Sequence, residues 1–265
     1  WGDLGITAVG PSPWVIEQLS RMHNRPGWST AVIPYGLDTS VFKPRPDSVL
    51  RDELGIASDR AVLVFGALGA TSDLRKGGDL LEGVLEELAQ RNFEGDIIVF
   101  GDQDSAQIRS YGFRLIRLGA VCDDTQLAEI YSVGDVFLFP SREETFGQTA
   151  SEALACGTPV VGFRAAGQAS VFRHKEHGYQ AIPFSVSDMA NGVEWIISEK
   201  RGESTIPLSF WYCSIGGSMV LLTYAIHRQD PVFIVGQSLG SIIYVRNLIL
   251  IDRKKKALAG GGTEK

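Results

Sequence analysis

Apolar and polar positions alternate in two different ways along this chain of 265 residues. Over residues 1–200, short apolar runs are separated by amphipathic stretches. An early run at residues 6–10 predicts a buried strand, and a run at residues 29–34 predicts another strand. Ser12, followed by a proline, supplies the start of a helix between them. A basic stretch broken by prolines comes next, so we expect residues 1–46 to form a small segment that ends in a connector.

Five further apolar runs predict the strands of a larger domain. They cover residues 61–66, 96–101, 113–119, 135–140 and 158–163. Helical patterns separate or follow these runs, at residues 79–90, 124–132, 147–156 and 187–200. Strands that are almost continuously apolar and alternate with helices are typical of a parallel sheet covered on both faces. We therefore expect a doubly wound, Rossmann-like α/β domain over residues 47–202, with its ligand site at the carboxyl ends of the strands.

The second kind of pattern begins after this domain. Residues 206–226 and 232–251 are apolar on all sides, and each segment has the ~20 residues that a membrane span requires. Basic residues flank the pair on both sides, so the positive-inside rule predicts a transmembrane hairpin over residues 203–252 with both ends in the cytosol. The alternative is that the two segments pack as ordinary core helices. The remaining residues, 253–265, predict a basic disordered tail.

Composition and charge narrow the function classes. The net charge of −6 gives no overall attraction to nucleic acid, so no nucleic-acid partner is expected. Three cysteines, Cys122, Cys156 and Cys213, lie far apart in neither metal-ligand nor disulfide spacing, which is typical of a reducing compartment. The chain begins with Trp1 rather than Met, so we expect its true start to lie upstream.

The stretch at residues 141–161 carries the candidate chemistry. Glu144 and Glu152 lie on either side of a Phe-Gly pair where a predicted strand turns into a predicted helix. Gly147 has no side chain, so a ligand can approach the free N–H groups of Gln148 and Thr149, which together with the helix dipole suit a diphosphate. Carboxylates would repel that phosphate, so we expect them to accept hydrogen bonds from ribose or sugar hydroxyls. The alternative is a solvated helix with two surface glutamates.

The string EETFGQTASEALACGTPVV closely resembles the motif of retaining GT-B-fold glycosyltransferases of the family 4 type. Three further segments match this family in its order, at residues 32–44, 65–81 and 131–141. The resemblance covers roughly residues 5–200. It implies transfer of a sugar from a UDP-, GDP- or ADP-sugar to a sugar or lipid-linked acceptor, with retention of configuration and with neither a cofactor nor an active-site metal.

The resemblance also implies roles for particular residues. Lys76 and Glu144 are the expected catalytic residues, because Lys76 neutralises the diphosphate as it leaves and Glu144 contacts the donor sugar. Glu152 binds the ribose hydroxyls. The family's usual arginine falls on Ala67 here, and Arg75 is expected to compensate. The expected donor-binding residues are Arg75, Phe146, Gly147, Gln148, Thr149 and Glu152.

Two features depart from a complete enzyme of this family. Ser170 stands where the family has an acidic residue in the loop beneath the sugar. Only the last strand and helix of the family's acceptor domain have counterparts, within residues 5–34, whereas a GT-B active site lies in the cleft between two domains. We therefore expect residues 1–46 to be a remnant of the acceptor domain with its connector, and residues 47–202 to be a nucleotide-sugar-binding domain that is weakly active or inactive alone.

The apolar tail has a resemblance of its own. Residues 210–251 resemble the last two helices of the small membrane domain named for the N-terminal region of lipid A biosynthesis proteins. The matching polar positions are Asp230, Pro231, Gly236, Gln237, Arg246 and Asn247. This implies attachment through residues 206–251 to the cytoplasmic face of a bacterial inner membrane. It also offers an alternative function, a membrane-anchored, non-enzymatic module with a vestigial glycosyltransferase half. The two resemblances meet at residues 202–204, as a natural fusion or as a junction of gene fragments.

Overall fold

The protein is described by a computed structural model in which part of the chain is placed. The described residues are 6–22, 28–45, 49–67, 72–101 and 108–200, together with Thr223, Ile226 and His227. The chain divides into two compact units, Trp1–Ile197 and Ser198–Lys265. Apart from three helical residues, the predicted hairpin and the predicted tail lie outside the described residues. Within the part that is described, no helix combines the length and the apolar character needed to cross a lipid bilayer.

The secondary structure follows the predicted alternation. The strands are β1 (Thr7–Gly10), β2 (Ser29–Val32), β3 (Ala61–Ala67), β4 (Gly95–Gly101), β5 (Arg114–Gly119), β6 (Val136–Phe139), β7 (Val160–Phe163) and β8 (Gly178–Ala181). The α-helices are α1 (Pro13–Met22), α2 (Leu50–Glu53), α3 (Gly78–Gln90), α4 (Asp124–Val133), α5 (Gln148–Ala155) and α6 (Val186–Lys200). The predicted strands and helices are confirmed to within about two residues, whereas the short elements β8 and α2 were not predicted. The prediction that the first strand is buried is wrong, because only Gly10 of β1 is buried.

Six of the strands form one parallel sheet, as the sequence predicted. Their order across the sheet is β5-β4-β3-β6-β7-β8, and every neighbouring pair is parallel. From β3 the chain crosses to β4 on one side, and from β6 it crosses to β7 on the other. The connections therefore diverge between β3 and β6, which is the switch point where doubly wound sheets form a ligand crevice.

Helices cover both faces of this sheet because alternate strand residues point to opposite sides. On one face α3 and α6 pack against the side of β3 that carries Leu63 and Phe65. On the other face α4 and α5 pack against the side that carries Val62 and Val64. All four of these strand residues are at most 1% exposed, which explains why β3 is a continuous apolar run in the sequence.

The predicted connector packs against the larger domain. Phe42 is 5% exposed and belongs to the core layer beneath α4 and α5. Pro44 lies close to Gly157, where an added Cβ would come within 3.3 Å of the proline ring. The connector is thus anchored by an aromatic side chain, although its described residues, 33–45, form no helix or strand.

The first two strands form a separate small sheet. β1 and β2 pair in parallel, with Thr7 opposite Ser29. At the start of α1, Ser12 is fully buried and its hydroxyl donates a hydrogen bond to the carbonyl oxygen of Thr145, at 2.6 Å. This bond joins the N-terminal segment to the loop between β6 and α5.

We expect the substitution Phe42→Ala to lower the free energy of unfolding by about 3–5 kcal/mol, because it removes a buried ring and leaves a cavity. Urea denaturation followed by tryptophan fluorescence measures this change. Val49→Ala, at a position that is 63% exposed, is the control and should cost less than about 1 kcal/mol. An equally small cost for Phe42→Ala would contradict the anchoring of the connector.

Candidate functional site

Two loops meet at the carboxyl edge of the sheet, one on each side of the switch point. The first follows β3 and carries Lys76 at the end of a 3-10 turn, Leu74–Lys76. The second, residues 140–147, joins β6 to α5 and carries Glu144. Because β3 and β6 are neighbours in the sheet, the two loops lie side by side although they are far apart in sequence.

An ion pair joins these loops. The Lys76 ammonium donates a hydrogen bond to Oε1 of Glu144 at 2.7 Å, across 68 residues of sequence. The Ser141 hydroxyl lies 3.2 Å from the same oxygen and donates to it. The side chains of Lys76 and Glu144 are 30% and 19% exposed, so both charges remain accessible to a ligand. The structure thus brings together the two residues that the sequence predicted to be catalytic.

The helix α5 begins next to this pair, at Gln148. Its N-cap is Gly147, whose φ of 104° lies in the left-handed region, and an added Cβ would come within 3.1 Å of the Phe139 ring. The first N–H groups of an α-helix have no acceptor within the helix. The amides of Gln148 and Thr149 therefore provide partial positive charge at the end of the loop that carries Glu144, at the position where the sequence predicted them.

Glu152 lies one turn further along α5 and is 8% exposed. Its Oε2 accepts a hydrogen bond from the hydroxyl of Tyr131 at 2.9 Å. Burial raises the pKa of Glu152 above its ordinary value, and the hydrogen bond from Tyr131 opposes that shift. Burial, followed by the nearby Glu152 carboxylate, raises the pKa of Tyr131 as well. Glu152 is therefore a buried carboxylate with a fixed partner, and the alternative of two surface glutamates is wrong for this residue.

A third loop closes the site from the side of β7. It contains a 3-10 turn, Gly167–Ser170, whose first N–H donates to the carbonyl oxygen of Glu144 at 2.8 Å. An added Cβ at Gly167 would lie 2.1 Å from the carbonyl oxygen of Thr145, so only glycine fits there. The Ser170 hydroxyl donates to the carbonyl of Gly167 within the turn, where the family's acidic residue was expected.

Gln168 in this turn was not predicted as a site residue. Its side chain is fully buried, and Nε2 donates to the carbonyl oxygen of Ser141 at 2.6 Å. Within the described part of the chain, no donor reaches its Oε1. The signal in the sequence was a single amide among small residues, in the stretch AAGQAS, and it is too weak to indicate burial.

Two of the predicted donor-binding residues, Arg75 and Phe146, contact residues outside the predicted site. The Arg75 side chain is 72% exposed and pairs with Asp73 at 2.8 Å, and this hydrogen bond lowers the pKa of Asp73. Arg75 takes no part in the ion pair of Lys76 and Glu144, so its predicted compensating role stays a prediction. The Phe146 ring makes an edge contact with Tyr35 of the connector, with ring centroids 5.5 Å apart.

The site therefore combines a lysine, helix amides that have no acceptor within their helix, and two carboxylates at the switch point of a parallel sheet. Cationic and N–H groups suit the phosphates of a ligand, whereas carboxylates suit its hydroxyl groups. Fold and site together define an α/β domain of the class that binds nucleotides at the carboxyl ends of its strands.

Comparison with protein families agrees with this class. The family model described as Glycosyl transferases group 1 matches residues 60–199, more than half of the chain. The chain therefore belongs to the group 1 glycosyltransferases. A second model, the Lipid A Biosynthesis N-terminal domain, matches residues 188–249. This match begins within α6, whereas the sequence pattern placed the end of the α/β domain at residue 202.

Curated relatives point the same way. A D-inositol 3-phosphate glycosyltransferase of Segniliparus rotundus is 30% identical over 172 residues, covering 61% of this chain and 34% of that protein. D-inositol 3-phosphate glycosyltransferase 2 of Catenulispora acidiphila is 29% identical over 196 residues, covering 68% of this chain and 45% of that protein. The matched part of the chain thus spans less than half the length of these relatives.

Solved structures share the fold. Sucrose-phosphate synthase from Thermosynechococcus elongatus superposes with a TM-score of 0.61 at 22% identity, covering 96% of this chain and 59% of that chain. Anabaena HepE, solved in complex with UDP and glucose, has a TM-score of 0.59 at 20% identity, covering 94% and 62%. The described sheet is thus the Rossmann-like half of a GT-B-type fold.

We expect Glu152→Gln to raise the free energy of unfolding at pH 7.5, because the ionised carboxylate is buried and glutamine keeps an acceptor for Tyr131. The folded-state pKa of Glu152 lies above its ordinary value of 4.5. The cost of its charge is therefore absent below pH 4.5, appears as the pH rises through the folded-state pKa and persists above it. The gain from glutamine should accordingly vanish at pH 4.

Denaturant unfolding of both proteins at several pH values measures this difference. Glu86→Gln, at an exposed position on α3, is the matched control and should change the stability little at any pH. A loss of stability from Glu152→Gln at pH 7.5 would show that the ionised carboxylate stabilises the fold.

Proposed function

We propose that residues 47–202 form the donor-binding domain of a retaining glycosyltransferase of the family 4 type. The observation that carries the proposal is the ion pair of Lys76 and Glu144 at 2.7 Å, beside the N-terminus of α5. The motif around Glu144 and Glu152 supports the family type and the retaining reaction. The donor is a UDP-, GDP- or ADP-sugar, and the acceptor is a sugar or a lipid-linked acceptor.

The geometry indicates how the site would receive a donor. A diphosphate beside the first amides of α5 would compete with Glu144 for the ammonium of Lys76. Glu144, once released, would accept a hydrogen bond from a hydroxyl of the donor sugar. As the bond from the anomeric carbon to the diphosphate breaks, its electron pair stays with the diphosphate, and Lys76 stabilises the charge that develops there. The oxygen of an acceptor hydroxyl would form the new bond to the anomeric carbon, and its proton would pass to the leaving diphosphate. Lys76 and Glu144 are thus the proposed catalytic residues.

Glu152 is the proposed ribose ligand. Tyr131 holds one of its carboxylate oxygens at 2.9 Å and so fixes the orientation of the group on α5. A fixed acceptor loses little entropy when a hydroxyl binds to it, so it favours a ribose in one position. HepE, one of the proteins that share this fold, was solved with UDP and glucose, which makes UDP the first nucleotide to test here.

We further propose that these residues alone transfer sugar slowly or not at all. Transfer needs the donor and the acceptor to be held together, and such orientation lowers a barrier by roughly 7–11 kcal/mol. The matched region covers less than half of the curated relatives, and the counterpart of the acceptor domain is limited to the small sheet and α1.

Calorimetric titration with UDP, GDP and ADP, and then with their sugars, tests the proposed donor site. Glu152→Ala should weaken the binding of nucleoside diphosphate by about 1.5–3 kcal/mol, as expected for a lost hydrogen bond to a charged group. Glu144→Ala should instead mainly reduce the extra affinity of the nucleotide sugar over the nucleotide. Glu86→Ala serves as the surface control. A folded protein that binds none of these ligands at millimolar concentration would favour the non-enzymatic alternative.

A second proposal rests on the lipid A biosynthesis family match at residues 188–249. We propose that residues 203–252 form a transmembrane hairpin with both ends on the cytoplasmic side of a bacterial inner membrane. Two apolar segments of about 20 residues with basic flanks support this topology. The domain with the proposed donor site would then lie at the cytoplasmic face.

Cysteine labelling in intact membranes tests this topology. After replacement of the native cysteines, single cysteines are introduced at Gln229, in the turn, and at Gly261, in the tail. The hairpin predicts labelling of these two positions from opposite sides of the membrane. Labelling of both from the same side, or a protein that stays soluble without detergent, would refute it. A cysteine at the exposed residue Val49 reports the side of the first unit.

A further inference from the structure

We propose that Arg142 is a positioning residue, which sets the place of Lys76 by holding the backbone of the turn that carries it. The inference deepens the proposed function, because Lys76 matters to a donor only if the site binds one. The positioning itself is a property of this fold and can be measured without a ligand.

Arg142 holds the peptide groups that precede Lys76. Its backbone N–H donates to the carbonyl oxygen of Arg75 at 2.7 Å, and Nη1 donates to the carbonyl oxygen of Leu74 at 2.8 Å. One residue of the second loop thus binds two successive carbonyl groups of the 3-10 turn. Those carbonyls belong to the residues directly before Lys76, so their position determines the point from which the lysine side chain extends.

The residue that follows Lys76 is held by the same segment. Gly77 has a φ of 71°, and an added Cβ would lie 2.1 Å from the carbonyl oxygen of Pro140. The backbone of residues 140–142 therefore touches the turn both before and after Lys76. No side chain fits between the two loops at this point.

The guanidinium of Arg142 is itself fixed by Asp79 in the first turn of α3. Nη1 lies 2.7 Å from Oδ1, and Nη2 lies 2.5 Å from Oδ2. The hydrogen bond from Arg142 lowers the pKa of Asp79, so the pair is ionised at neutral pH. A bidentate pair fixes the plane of the guanidinium, which lysine cannot reproduce because its ammonium is a single point of charge.

This contact set distinguishes positioning from direct ligand binding. Both terminal nitrogens of Arg142 are engaged, one with Asp79 and the other with Asp79 and Leu74. The side chain of Lys76, in contrast, pairs through its ammonium with a glutamate that a donor would engage. The loss of Arg142 should therefore act through a misplaced Lys76.

Hydrogen exchange of the ligand-free full chain tests the positioning. The N–H groups of Lys76 and Gly77 donate to carbonyls of their own turn. Loss of the guanidinium, which binds the carbonyl of Leu74, should loosen these bonds, although the backbone N–H of residue 142 still binds the carbonyl of Arg75. We expect Arg142→Ala to increase the exchange rate of the peptide covering residues 74–77 by about tenfold, and Asp79→Ala to do so less. Arg173→Ala, which removes an exposed i,i+3 ion pair with Glu176, is the matched control and should leave that peptide unchanged. Unchanged exchange in Arg142→Ala overturns the proposal.

Titration with UDP, GDP and ADP then tests whether Arg142 affects ligand affinity through Lys76. We expect Arg142→Ala to weaken the affinity of the best of these ligands about tenfold in the presence of Lys76, and less than twofold in a Lys76→Ala background, because the coupling of the two residues makes their effects non-additive. Arg142→Lys should behave like Arg142→Ala. Equal losses in the two backgrounds, or full affinity in Arg142→Lys, would overturn the proposal.

The hydrogen-exchange and titration experiments distinguish a failure of this inference from a failure of the proposed function. If the unsubstituted protein binds no nucleoside diphosphate, the proposed function fails, and the exchange measurement still decides whether Arg142 positions Lys76. If it binds one and Arg142→Ala changes neither exchange nor affinity, the positioning role alone is wrong.

Discussion

The opposite directions in which the chain connections run from β3 and from β6 are the constraint on which the site depends. The loops that follow β3 and β6 begin side by side, because the two strands are neighbours, and then lead to opposite halves of the sheet. The ion pair of Lys76 and Glu144 connects these two loops. A partly buried charge is costly without a partner, so each residue stabilises the other while the site is empty. A ligand that separates them has to compensate both charges. In a molecule with a diphosphate next to a sugar, the diphosphate can pair with Lys76 and a sugar hydroxyl can donate to Glu144. A simple anion can pair with Lys76 only.

Burial of Glu152 gives the site an oriented carboxylate at a cost to the stability of the fold. The hydrogen bond from Tyr131 orients the carboxylate, but burial raises its pKa and makes its charge a cost to the folded state. Tyr131 in turn packs at right angles to Phe100 and Phe137 in the core layer beneath α4 and α5. The proposed ribose ligand is therefore supported by the same aromatic cluster that stabilises the domain, so substitutions in that cluster should affect stability and ligand geometry together.

The sequence predicted the architecture well because most strands are apolar runs and the longer helices are amphipathic. It missed β8, whose residues GYQA form no apolar run, and α2, whose four residues make only about one helical turn. For the site, the motif placed Lys76, Glu144 and Glu152 at the correct loop and helix positions. It could not show which side chains meet, because the contact of Arg142 with Asp79 spans 63 residues and depends on how two loops pack. The sequence did not predict Gln168 as a site residue for the same reason, because its contact with Ser141 also joins two loops. The predicted hairpin lies outside the described residues and remains a prediction from the sequence.

A crystal structure of the protein soaked with UDP would test the central claim most directly. The proposed donor site predicts that the ammonium of Lys76 leaves Glu144 and lies about 3 Å from a phosphate oxygen, with the same diphosphate on the amides of Gln148 and Thr149 and the ribose on Glu152. A bound UDP elsewhere on the domain, with the Lys76–Glu144 pair still intact, would contradict it.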